Sequence, residues 1–186
     1  MLLSACETPT EPVAPVEPVE PPQFLLAGRV ASATGAGHFN AGVDVTFAFF
    51  ALQFGPGTRA FGLFHFETVL GGFDVEFQAR VTCMAVDPVT NRAWIGGVVT
   101  KNRSNHPSFT TPIHQVGRDI WFRMVDYGEG STATQPDRST FVGFEGAAGI
   151  ITSEEYCAAR IWPGPPADVV DARTNPVTSG NINVRG

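Results

Sequence analysis

The chain has 186 residues, 43% of them hydrophobic and 16% charged, with 18 acidic against 12 basic side chains. That length suits one domain with a tail, and the net charge of −6 excludes a nucleic-acid face, which needs basic groups to neutralise phosphates. Fifteen Phe exclude a wholly disordered chain, while 20 Gly and 15 Pro lower the expectation of helix in favour of a turn-rich β protein.

The chain opens Met1-Leu2-Leu3-Ser4-Ala5-Cys6. Leu3, Ser4, Ala5 and Cys6 resemble, position by position, the lipobox of bacterial lipoprotein signal peptides. The resemblance implies a diacylglyceryl thioether on Cys6, cleavage just before it, and acylation of the freed amine. A secretory signal also carries a basic stretch and about 7–15 apolar residues. Only Met1, Leu2 and Leu3 precede the small residues, so 1–5 read as a truncated signal-peptide remnant with a mis-assigned or trimmed start.

Residues 7–22 hold six Pro and four Glu and no basic residue. Such a segment favours polyproline II, with a reach of roughly 50 Å at about 3.1 Å per residue. A Cys, a solvated Pro/Glu-rich tether over 6–22 and a single β domain over 23–186 is the layout of a surface-tethered lipoprotein. With the tether's four Glu set aside, 14 acidic side chains face 12 basic ones in the body. The acidity belongs to the tether.

In the body, residues 26–33 read as extended. Val43, Val45, Phe47 and Phe49 then alternate with Asp44, Thr46, Ala48 and Phe50, and the turn Gly55-Pro56-Gly57 leads into 60–67. From Asp74 to Met84 the pattern is clearest: Val75, Phe77, Ala79, Val81 and Cys83 fall on one side, and Asp74, Glu76, Gln78, Arg80 and Thr82 on the other. Period two over such a run is a strand with one buried and one wet face. Turn residues 87–91 predict a hairpin joining 74–86 to 92–101.

Downstream, 119–124 alternates as well, and 139–145, 158–162 and 180–185 are further extended candidates. Thr152 with Glu155 three residues on fits a capping box and predicts a short helix over 153–159. Residues 163–175 read as a loop. Seven to nine evenly spaced strands with Gly/Pro turns predict an all-β fold, an antiparallel barrel or sandwich. No apolar run reaches the ~18 residues of a spanning helix. An outer-membrane barrel would need longer alternating strands with aromatic girdles; strands apolar on both faces with Gly interspersed suit a small packed barrel better.

Arg80-Val81-Thr82-Cys83, Asn91 to Gly97, Val125 to Gly130 and Ser179 to Val184 resemble a class of uncharacterised secreted bacterial β domains, over roughly 75–184. Gly35 to His38 gives a weaker echo. The resemblance implies the fold and the location and brings no activity.

If Cys6 carries lipid, Cys83 and Cys157 remain as an even pair in an oxidising compartment, which predicts a disulfide; two separate buried thiols are the alternative. His38, His65, His106 and His114 have no metal-ligand spacing, and His106 and His114 flank prolines in what reads as an exposed loop. His65 sits between Phe64 and Phe66, so it points opposite both; it could line a barrel interior, with a satisfied structural His as the alternative. With Arg80 it is the residue to check for catalysis. Asp126, Glu129 and Asp137 are the best polar cluster, able to offer oxygen ligands to a cation, yet without EF-hand spacing. Gly55 to Ala60 fits GxGxx[GA] formally, but in a strand-turn-strand setting that cannot cradle a dinucleotide. Trp94, Trp121 and Trp162 read as core stock before a sugar-stacking face.

No catalytic motif and no cofactor is expected. These features predict an extracytoplasmic lipoprotein, anchored at the periplasmic face or the cell surface, with a non-enzymatic binding or scaffold domain. Its expected partners are the membrane through the lipid, and an apolar small ligand or an envelope protein. The alternative is a small barrel enzyme of isomerase or cyclase type, or a lipocalin-like carrier, with an apolar pocket.

Overall fold

Period-two runs bounded by turn residues become long strands whose neighbours in sequence are also neighbours in space. The computed structural model describes residues 29–129, 133, 135–146, 149–150, 152–162 and 173–186. Residues 1–5, Cys6 and the 6–22 tether lie outside the described residues, as does most of the 163–175 loop. In chain order the strands are β1 (Arg29–Asn40), β2 (Asp44–Phe54), β3 (Arg59–Leu70), β4 (Phe73–Asp87), β5 (Arg92–Asn102), β6 (Asp119–Val125), β7 (Arg138–Ser139), β8 (Gly143–Phe144) and β9 (Asn175–Arg185). One helix, α1 (Ser153–Ala159), precedes β9.

Strands β1 to β6 form an antiparallel meander. The last strand, β9, returns to pair with β1, and the two-residue β7 bridges β9 to β6. Eight strands thus close into a barrel, with β8 added on β6. Between the two architectures expected, closure decides for the barrel. It also removes the open edges along which sheets aggregate.

The inward positions hold one continuous cluster that includes Phe39, Phe47, Phe49, Phe64, Phe66, Phe77, Phe122 and Phe144. Phe122 meets Phe64 at 5.0 Å and Phe49 at 5.3 Å between ring centroids, both edge-on, as aromatic quadrupoles prefer. The void between Phe39, Phe47, Phe49, Phe64 and Phe122 is about 10 Å³, at the lower limit for a single water. A carrier or barrel enzyme needs a few hundred Å³. Asp44, Glu67, Asp74 and Arg80 point outward and are exposed, the reverse of a barrel set in lipid.

The segment between β5 and β6 forms two 3-10 turns, Pro107–Phe109 and Pro112–His114. It corrects the expectation of an exposed loop around His114. That ring is buried at 4.3 Å from Phe144, and Phe109 lies beside it at 5.2 Å. Asn102 Nδ2 donates to the carbonyls of both Phe109 and His114, fixing the turns against the barrel end. Burial pushes the imidazole below its ordinary pKa.

The helix starts where the capping box predicts. Thr152 Oγ1 accepts from the Glu155 N–H, and the Glu155 carboxylate accepts from the Thr152 N–H, each at 3.2 Å. It ends at Arg160, whose left-handed φ of 48° stops the turn, so the strand expected at 158–162 is instead the helix end and an irregular segment. The helix covers the outside of the barrel over a second small core of Ala85, Trp94, Trp121 and Tyr156. Trp121 stacks on Tyr156 at 5.4 Å.

Cys83 and Cys157 form the expected disulfide, with Cα atoms 6.2 Å apart. One detail of the expectation changes. The β4 register shifts between Val81 and Cys83, so the alternation slips: Val81 and Met84 face the interior, while Cys83 turns outward to meet the helix. Gly96, opposite Cys83 on β5, makes room for this junction. A Cβ there would come within 2.7 Å of Ser153 Cβ and 2.8 Å of Cys83 Sγ.

Candidate functional site on the outer face

The acidic cluster is brought together by the fold, but as a seam. Along β9 the N–H groups of Ile182 and Val184 are not taken up by β1, and β7 spans only two residues. Asp137 and Asp126 fill the gap: Ile182 N–H donates to Asp137 Oδ2 at 2.7 Å, and Val184 N–H to Asp126 Oδ2 at 2.9 Å. The remaining oxygens accept from the Tyr127 and Gly128 N–H groups. Glu129 Oε1 accepts from the side-chain amides of Asn181 and Asn183 on the outside of the same strand. Carboxylates stand in for a missing strand partner. Among the described residues no set of three His, Cys, Asp or Glu side chains is arranged to hold a metal ion.

This clamp predicts a pH dependence. Burial, reinforced by the Asp126 and Glu129 charges, raises the Asp137 carboxyl to about 6, against the Ile182 N–H that favours its charged form. The folded chain therefore keeps a proton that the unfolded chain, ionising near 4, has released. The stabilisation from this proton is complete below about pH 4 and is lost as the pH rises through about 6. Urea unfolding of Asp137→Asn should show a flatter decline of stability across that window than the parent. Identical profiles would contradict the assignment.

His65 and Arg80 do not converge. Both lie on the outside of the barrel, since Phe64 and Phe66 point in. His65 Nε2 is 3.5 Å from Glu76 Oε1, which Gln78 and Arg103 also approach. Arg80 lies across the ladder from Leu63 and is exposed. Among the shifted groups, His114 plugs one barrel end, Asp137 sits in the seam, and Tyr156, raised to about 12 by burial, is hydrogen-bonded under the helix to Arg123, whose pKa burial lowers. The tryptophans are likewise structural, with Trp94 Nε1 donating to the Ile161 carbonyl and Trp162 set edge-on to Trp94.

Two open depressions lie on the outer surface of β9, β1, β2, β3 and β4. Compared with protein families, curated proteins and solved structures, the chain matches none. The face is therefore judged by its own chemistry. On its polar half, small side chains of β1 (Ser32, Thr34, Ala36) leave an open depression of about 600 Å³, bounded by Asn181, Asn183, Arg185 and Glu129. On its apolar half, Phe50 pairs across the ladder with Leu63, and Leu52 with Phe61. Phe50 is 44% exposed, Phe54 43%, Phe61 57% and Leu63 55%, all on neighbouring positions of two strands. A second open depression, of about 420 Å³, runs between Ala48, Phe50, Leu63, His65 and Gln78.

Phe50, Phe54, Phe61 and Leu63 thus form a contiguous exposed apolar strip on the barrel wall. The signal was present in the alternation. Phe50, placed on the wet face with Asp44, Thr46 and Ala48, is an apolar residue where the pattern calls for a polar one. Phe54, Phe61 and Leu63 continue the anomaly.

Proposed function

We propose that this chain is an envelope-anchored bacterial lipoprotein whose barrel is a non-enzymatic binding or scaffold domain. A single observation carries the reading of the domain. Its interior is filled by its own Phe side chains, while Phe50, Phe54, Phe61 and Leu63 stay on the outer face. The void among the inner rings, about 10 Å³, supports recognition from outside over chemistry in an enclosed pocket.

The anchor rests on the lipobox Leu3-Ser4-Ala5-Cys6 and on the Pro/Glu-rich tether that follows. The Cys83–Cys157 disulfide accords with an oxidising, extracytoplasmic compartment. Among the described residues no helix is long and apolar enough to cross a membrane. Several acyl chains on one Cys would hold where a single chain is marginal. Expression of the gene with its upstream sequence in a bacterial host fed an alkynyl fatty acid should label the protein, and Cys6→Ala should abolish the label. A parent protein without label would overturn the anchor.

A further inference from the structure

The outer face of the barrel is polarised along the strand axis. Toward the β1–β2 and β3–β4 turns, outward positions carry Asp44, Glu67, Asp74 and Glu76. Toward the opposite end the same strands carry Phe50, Phe54, Phe61 and Leu63, with Arg59 and Arg80 beside them, and Asp87 closes β4 beyond them. Four carboxylates stand toward one end and four large apolar side chains with two arginines toward the other, although exposed Val69 and Phe73 share the first end.

The apolar end is also where the chain departs toward its N-terminus. Arg29, the first described residue, lies opposite Phe54 in the β1–β2 ladder. The 22 residues from 7 to 28 separate it from Cys6, a reach of roughly 70 Å if extended as polyproline II. Any surface holding Cys6 is thus within reach of Phe54, Phe61 and Arg59, and the tether keeps it at high effective concentration.

We propose that this Phe/Leu/Arg end of β2–β3 docks on an anionic lipid surface, as a second and weaker membrane contact beside the lipid on Cys6. This rests on the proposed tether. Rings and Leu side chains on a curved barrel wall enter the headgroup boundary, while Arg59 and Arg80 pair with lipid phosphates. The acidic end, repelled by the same charge, is turned to the solvent and fixes the barrel's orientation. Exposed rings beside two arginines, with Asp44, Glu67, Asp74 and Glu76 at the far end of the same strands, match an anionic headgroup surface.

The test uses the full chain as Cys6→Ala, made without lipid, and sedimentation with vesicles of phosphatidylcholine and phosphatidylglycerol in roughly 7:3 ratio. Binding is expected, weakened by salt and absent on phosphatidylcholine alone. Adding Phe54→Ser and Phe61→Ser, or Arg59→Glu and Arg80→Glu, should weaken it at least about tenfold. The equally exposed Val69→Ser with Phe73→Ser, at the acidic end, should leave it unchanged, and thermal melts check that every variant folds.

No vesicle binding by Cys6→Ala, or equal binding by all variants, would overturn the proposal. So would a concentration-dependent dimer abolished by Phe54→Ser and Phe61→Ser, which would assign the face to a second copy. Fatty-acid labelling separates the two readings: label without vesicle binding sinks the docking alone, and vesicle binding without label sinks the tether alone.

Discussion

Replacing Cys83 and Cys157 with alanine is expected to lower the unfolding free energy by on the order of 4 kcal/mol, the chain-entropy cost of releasing so long a loop. The two residues are 74 apart, and the bridge ties α1 to the outside of β4. Urea unfolding of the double variant should show the loss, and reductant on the parent should reproduce it. α1 is also held by the stack of Trp121 on Tyr156 and the bond of Ser153 to Asp119, whose Oδ1 accepts from both the N–H at 2.8 Å and the Oγ at 2.6 Å. A change below about 1 kcal/mol would mean that these contacts, and not the bridge, set the stability.

The second large effect concerns the interior. Phe77 is wholly buried, with Phe144 at 5.0 Å and Phe109 at 5.9 Å between centroids. Phe77→Ala should cost about 3–5 kcal/mol, the transfer of the ring plus the cavity that a closed barrel cannot collapse. The same substitution separates interior from exterior. If the outer face does the binding, a folded Phe77→Ala protein retains vesicle affinity while its unfolding midpoint drops. Loss of binding in a protein that still melts cooperatively would place the binding element inside.

The strands were legible because one face of each is buried and the other wet, which is all that period two requires. β4 illustrates both the reach and the limit of that signal. Its alternation is plain from Val75 to Val81, but the register shift before Cys83 leaves no local mark, so Cys83 reads as a core residue when it faces the helix. The helix was legible through Thr152 and Glu155, whose reciprocal bonds are local in sequence. Its C-terminal end was not, because Arg160 takes a left-handed conformation that Gly or Asn usually signals.

The seam shows why function is harder to read than fold. Asp126 and Asp137 stand out in the sequence as carboxylates near Gly turns, the setting of an oxygen-ligand site. What they bind are N–H groups of Ile182 and Val184, more than forty residues downstream on the last strand. Nothing near Asp126 announces that partner. His114 is the same case, since the barrel end that buries it is assembled from Phe77 and Phe144 on distant strands. The outer apolar patch was the reverse: Phe50, Phe54, Phe61 and Leu63 break a local rule, and the break is visible in the alternation itself.

The most direct test of the account is the mass of the N-terminal peptide of the protein recovered from membranes of a bacterial host expressing the gene with its upstream sequence. A chain that begins at Cys6 and carries a diacylglyceryl group with an acylated amine is the predicted result. A chain that keeps residues 1–5, bears an unmodified Cys6 thiol and sediments with the cytosol would contradict it.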